Sequence, residues 1–323
     1  MSSLQASLKE WNLPSWYLKA YGFLVVAVFF LIALGGSVRV MKAGLACPDW
    51  PLCFGDVIPD YHPQVYFEFI HRVVAGLVSI GTVTLQVFLL RSRVPRHLKW
   101  LGGLSLVILL TQVIFGGLTV ILLLKSGVVA THLLLGTGFF GTLFWIFLTL
   151  KTPVKEVHSG PSFLRFQALG MTLAVYGQIL LGGLVAANYA SLVCIDFPTC
   201  HGEWFPTFSG IIGLHVIHRL GAYTIFVLSI LNFWSMRKFA TDPRLKKTAA
   251  LLFYHVCGQV CLGIANVLFL TPPVLAVAHL ALGVAVFAMT LRQLHTVRDL
   301  WVPRAAQRPA SANGLSSLEG STV

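Results

Sequence analysis

Apolar residues along this chain come in long runs. A helix needs roughly 20 mainly apolar residues to cross the hydrocarbon core of a bilayer. Eight runs of that kind lie near 20–40, 67–90, 100–123, 127–150, 164–187, 208–236, 248–270 and 273–291. Glycine and proline are frequent, as membrane helices tolerate. The pattern predicts an all-α membrane protein with eight transmembrane helices.

The polar positions between the runs set the orientation. With the N-terminus inside, eighteen Lys and Arg residues fall on the inner side and only Arg39, Lys42 and Lys125 outside. Cytoplasmic segments carry this excess, and an even number of spans makes both termini cytoplasmic. Residues 1–19 form the N-terminal segment. It carries a lysine and an acid and leads into a full-length run, so no cleavable signal is expected. Residues 292–323 read as a disordered cytoplasmic tail.

Composition agrees. The chain has 323 residues, 56% hydrophobic and 11% charged, against about 25% charged in soluble domains. The net charge of +12 could suggest nucleic acid. The positions of the charges explain it as topology instead, and no nucleic-acid partner is expected.

Two short segments stand out between the runs. "CPDWPLC" spans 47–53 and "CIDFPTC" spans 194–200, an offset of 147. The same offset maps Gly35-Gly36 onto Gly182-Gly183, His71-Arg72 onto His218-Arg219, and Gln112 onto Gln259. It also maps Gly116 onto Gly263, His132 onto His279 and Gly136 onto Gly283, with no insertion. The chain therefore reads as two fused, tandemly repeated four-helix bundles, 20–150 and 164–291, joined by a cytoplasmic linker, 151–163. Both cysteine segments fall on the outer side, where disulfides persist. Bridges Cys47–Cys53 and Cys194–Cys200 are expected, with four free thiols as the alternative. Cys257 and Cys261, four apart in the seventh run, read as helix-packing residues.

A polar side chain at membrane depth is a functional candidate by default. His71 and His132 enter their spans from the outer side at similar shallow depth; His218 and His279 repeat the arrangement. Two imidazoles from two helices at one level suit a bis-histidine haem within a bundle. An interhelical hydrogen bond is the alternative for any one of them. Zinc would call for three or four protein ligands, which the repeat does not supply. Gly116, Gly117, Gly182 and Gly183 would admit a flat macrocycle or a close helix. Arg72 and Arg219 follow a histidine in each half and would pair with haem propionates or snorkel to the interface. His97, His158 and His295 lie near inner loops and are expected to be solvated.

The halves differ at one place of chemical consequence. "EFIHR" in the second run becomes "HVIHR" in the sixth, so Glu68 corresponds to His215. Each lies three residues before its histidine, on the same helix face. A carboxylate there can take a proton or stabilise a developing cation. Chemistry is expected in the first half and a resident redox cofactor in the second; an interfacial Glu68 is the alternative.

Taken together, "EFIHR", "HVIHR", the cysteine segments, His132 and His279 resemble the haem A synthase family over roughly 20–291. The resemblance implies oxidation of the haem O ring methyl group to a formyl group by successive hydroxylations, giving haem A. It implies resident haem b on His218 and His279, substrate haem O on His71 and His132, and Glu68 as the catalytic acid. Arg72, Arg219 and His215 would be pocket or propionate contacts. Partners would be haem O synthase, an electron acceptor and the bilayer, and the expected location is a bacterial plasma membrane. A non-catalytic diheme b-type cytochrome carrying electrons between quinone and a partner is the main rival.

Overall fold

The structure, a computed structural model, describes residues 8–152, 161–204 and 206–298. Residues 1–7, most of the 151–163 linker with His158, and 299–323 lie outside the described residues. Among the described residues there are eight long helices: α1 (Tyr17–Val40), α2 (Pro63–Arg91), α3 (Arg96–Ile121), α4 (Ser126–Lys151), α5 (Phe163–Ala187), α6 (Gly210–Phe239), α7 (Pro243–Leu268) and α8 (Pro273–Val297). All eight are long and apolar enough to cross a membrane, and no strand is seen among the described residues.

The helix starts carry local signals. Proline opens α2, α7 and α8, where its missing N–H is no loss. The Asp242 side chain caps α7 by accepting from the Arg244 amide at 2.8 Å. Basic residues close α2, α4 and α6, at the negative end of the helix dipole. The Pro63 start places the first turn of α2 ahead of the apolar run, so α2 begins four residues before position 67.

The helices pack as two rings. Helix α1 packs on α2 and α4, and α3 on α2 and α4; α5, α6, α7 and α8 repeat that pattern. The rings meet through α1–α8, α4–α5 and α4–α8. Thus α2 and α4 stand at opposite corners of one ring, as α6 and α8 do in the other. Side chains such as Leu143, Ile146, Phe140 and Phe287 fill the centre, while Phe23, Leu77, Phe166 and Leu173 point outward. That inversion suits a lipid surround, where helices associate through close packing and small residues. Gly36 supplies one such contact between rings: an added Cβ would lie 2.5 Å from Leu280 Cδ2.

Two expectations are corrected at the C-terminal end of α8. Helix α8 continues to Val297, so the tail begins later than 292. Its last turns bury Gln293, His295 and Val297. His295 is therefore not solvated: Nε2 lies 3.0 Å from Thr149 Oγ1, and its ring meets Trp145 edge-on at 5.1 Å. Packing of this amphipathic extension against α4 overrides the local polarity. His97 is exposed as expected. The packing role holds only in part for the cysteines of α7: Cys257 is half-buried, and Cys261 is exposed.

Candidate functional site

The four recurring histidines lie in pairs on opposite corners of the two rings, His71 on α2 with His132 on α4, and His218 on α6 with His279 on α8. Each rests on a glycine of a neighbouring helix. A Cβ added to Gly35 or Gly182 would lie 3.1 Å from Cε1 of His71 or His218. At Gly116 and Gly263 it would lie 3.3 and 3.2 Å from Cε1 of His132 and His279. Glycine is needed at these points because the imidazoles approach the helix backbone so closely. Gln112 Nε2 comes within 3.5 Å of His132 Nε2, and Gln259 Nε2 within 3.3 Å of His279 Nε2. Gly136 and Gly283 give these amides room.

Both cysteine pairs are bonded, Cys47–Cys53 and Cys194–Cys200, with Cα–Cα distances of 4.7 and 4.8 Å. The free-thiol alternative is set aside. The loops share a cis proline, at Trp50-Pro51 and Phe197-Pro198. Each closes on its own aspartate. Asp49 accepts from the Phe54 and Gly55 amides at 2.6 and 2.8 Å. Asp196 accepts from the Thr199 hydroxyl at 2.6 Å and from the His201 and Gly202 amides at 2.9 Å. Gly55 and Gly202 carry φ of 78° and 77°, the left-handed region that favours glycine. The loop aspartate is thus a turn-former. These hydrogen bonds, led by Gly55 for Asp49 and Thr199 for Asp196, hold both carboxyls below the usual range.

An arginine on the helix below holds each loop. Arg219 donates to the carbonyls of Thr199, Cys194 and Asp196 at 2.8, 2.9 and 3.0 Å. Arg72 donates to those of Asp49, Leu52 and Cys47 at 2.8, 2.6 and 3.3 Å, and to Glu68 Oε1 at 2.5 Å. The other Glu68 oxygen accepts from the Cys47 amide at 3.0 Å. Glu68 is buried, 4% exposed. His215 is buried too, with Nδ1 2.8 Å from the Ala190 carbonyl. An imidazole N–H donates here to the segment before the loop, where the Glu68 carboxylate accepts from the loop itself. Trp50 covers Gly117, where an added Cβ would meet its ring at 3.2 Å. The loop thereby lies over α3 beside the first histidine pair.

Residues 20–291 match the COX15-CtaA family model, described as cytochrome oxidase assembly protein. The chain belongs to this family. Among similar curated proteins, the heme A synthase of Shewanella oneidensis is 30% identical over 310 residues, covering 83% of this chain and 92% of its own. That of Halalkalibacterium halodurans is 29% identical over 284 residues, covering 85% and 94%. That of Paracoccus denitrificans is 28% identical over 328 residues, covering 85% and 86%. The COX15-CtaA match takes in all the helices described above except the first turn of α1 and the last turns of α8.

Sequence reasoning named the histidines, Glu68, both arginines and the disulfides. It missed Gln178, whose amide nitrogen lies 3.1 Å from His218 Nδ1. Its signal in the sequence is a mismatch: Gln178 falls on Leu31 at the offset of 147.

Proposed function

We propose that this chain is a haem A synthase, a membrane oxidoreductase that converts haem O to haem A. The observation that carries this reading is the family match over 20–291, joined to curated relatives bearing that name over most of the chain. In the finer reading the two rings are tandem modules with both termini cytoplasmic and the cysteine loops outside the plasma membrane.

The residues present fit haem as a ligand. The Nδ1 atoms of His71, His132 and His279 are buried without a hydrogen-bond partner. Imidazoles arrive in pairs, and no group of three or more His, Cys, Asp or Glu side chains able to hold a metal gathers among the described residues. Paired imidazoles on two helices of one ring suit a macrocycle whose iron they would hold. In this reading His218 and His279 hold a resident haem b, and His71 and His132 hold haem O. The resident haem supplies one-electron transfer when bound.

The chain's own contribution to chemistry centres on Glu68. Its charge is balanced by Arg72 and by the Cys47 amide, which keeps a carboxylate available in a water-poor site. A carboxylate so held can stabilise cationic character or take a proton as the methyl group is oxidised through the alcohol to the formyl group. The disulfide loop, fixed by Arg72, shields that space from outside.

The test is conversion. The purified protein is supplied with haem O and a reductant-oxidant system, and extracted haems are separated. Haem A together with co-purified haem b supports the reading. Haem b alone, with haem O returned unchanged, leaves an electron carrier.

A further inference from the structure

The two rings differ along one seam. His71 on Gly35 joins α2 to α1, and His132 on Gly116 joins α4 to α3. His218 on Gly182 and His279 on Gly263 do the same in the second ring. The α2–α3 and α6–α7 seams carry no such contact. Aromatic side chains fill the second of them. Phe253 of α7 meets Phe226 and Phe233 of α6 at ring-centroid distances of 6.3 and 5.5 Å. At the offset of 147 these positions hold Leu106, Ser79 and Gln86. The Ser79 hydroxyl turns back to the Ala75 carbonyl at 2.7 Å, and the Gln86 amide donates to Tyr21 of α1 at 2.8 Å. Among the described residues no aromatic pair joins α2 to α3. These two helices pack more sparsely than α6 and α7. Leu110 and Val113 of α3 are exposed, whereas their counterparts Cys257 and Val260 are half-buried. Near their connecting turn α2 and α3 stay together, with Gly102 against Gln86 and Leu89.

We infer that the α2–α3 seam is the entrance through which haem O passes between the bilayer and the first histidine pair. Phe226, Phe233 and Phe253 keep the matching seam of the second ring shut. This rests on the haem ligation proposed above. Haem O is a largely apolar macrocycle, so it collects in lipid rather than in water. Other routes are obstructed. The disulfide loop is tied down by Arg72 and Glu68, and Trp50 sets it on α3 at Gly117. Helices α1 and α4 are backed by the second ring. Parting α1 from α2, or α3 from α4, would pull an imidazole off the glycine that seats it. Parting α2 from α3 exchanges aliphatic contacts for lipid chains of equal polarity, which costs little. The same motion in the second ring must also separate aromatic rings, whose contact is worth more than its buried area. A substrate must enter and its product leave, while a cofactor must stay, and the difference runs in that direction.

The experiment uses the purified full-length protein in lipid vesicles. It reads the rate of haem O uptake from added haem O-loaded vesicles, by the Soret band, and the rate of resident haem loss to excess apomyoglobin. Ser79→Phe with Leu106→Phe gives the first ring the aromatic contact of the second. Uptake should slow about fivefold, the scale of one aromatic contact, with the final amount of bound haem O unchanged. A barrier changes the rates in both directions and leaves affinity alone, whereas a disturbed site loses affinity. Uptake at the parent rate, or slow uptake with lost affinity, overturns the entrance. Should that variant fail to accumulate, Phe253→Leu decides. It makes the reverse exchange in the second ring and should lose resident haem about fivefold faster while keeping the b-type spectrum. Loss at the parent rate overturns the proposal. His71→Ala separates the two levels: haem O bound there as in the parent, with a bis-histidine spectrum, defeats the ligand assignment itself. Weakened haem O binding there, with seam variants like the parent, defeats the entrance alone.

Discussion

Glu68 and Arg72 stand one turn apart on α2, joined by an ion pair of 2.5 Å, and both also bind the first disulfide loop. The pair is the point where loop, helix and first histidine meet, since His71 precedes Arg72. In the second half Arg219 holds its loop without a carboxylate, and His215 donates to a carbonyl instead. A buried carboxylate that a loop does not require for its shape is a group free to serve chemistry.

Glu68→Gln separates these roles. The amide oxygen can still accept from the Cys47 amide, and the shape is kept, but the charge is gone. The variant should insert, keep its b-type haem and form haem A at least about a hundredfold more slowly, the usual scale for losing a positioned acid or base. Haem O or the alcohol should accumulate in the extract. Arg72→Leu should do structural harm as well, because it strands a buried carboxylate, at a cost of about 3–5 kcal/mol. His215→Gln should be milder than either. Haem A formed at the parent rate by Glu68→Gln would remove the carboxylate from the mechanism.

The loop aspartates set a pH dependence of known sign. Hydrogen bonds from Gly55 and Thr199, respectively, lead in lowering Asp49 and Asp196 below the usual carboxylate range. A lowered folded value means the contribution to loop order is present above the ordinary value of about 4 and is lost as pH falls through the folded one. The loops should thus stay ordered at pH 4 and loosen only in stronger acid. Asp196→Asn should loosen the second loop at neutral pH. Hydrogen exchange at the His201 and Gly202 amides, corrected for intrinsic rates, reads both. Loosening of the parent loops already at pH 5 would contradict the assignment.

Thiol chemistry distinguishes the two kinds of cysteine. Cys47, Cys53, Cys194 and Cys200 should resist maleimide until reductant is added. Cys261 faces outward from a membrane span. It should react with an apolar, membrane-soluble maleimide and resist a charged, impermeant one. Equal reaction of Cys261 with both reagents would place that face of α7 in water.

The sequence made the eight helices legible because a membrane span must satisfy its backbone internally and show lipid an apolar surface. Those demands act over about 20 residues at a time, so they survive in composition alone. The repeated loops and histidines were legible because one offset aligned them. What stayed hidden depends on contacts between distant positions. His295 looks solvated by its place in the chain, yet it packs on Trp145 and Thr149, about 150 residues away. Arg72 reads as a propionate or pocket contact, and its Nη atoms donate to three loop carbonyls and Glu68, contacts that no local pattern announces. Gln178 was hidden because it falls on a leucine, Leu31, at the offset that aligned the rest.

The glycines beside the histidines test whether the two rings work separately. A Cβ on Gly35 or Gly182 would come 3.1 Å from Cε1 of the facing imidazole. That is tighter than ordinary van der Waals contact, so the ring must shift by a few tenths of an ångström. If these imidazoles hold haem iron as proposed, a shift of that size would alter the ligand field at the iron concerned. The two glycines lie on α1 and α5, in different rings and with no shared partner, so their effects should be independent. Gly182→Ala should change the electron paramagnetic resonance signal of the resident haem. Gly35→Ala should leave that signal as in the parent and lower conversion of haem O. The double variant should show both effects at their single-variant size. A changed resident signal in Gly35→Ala would show that the rings are coupled through the α1–α8 and α4–α5 contacts, and the division into one substrate ring and one cofactor ring would then fail.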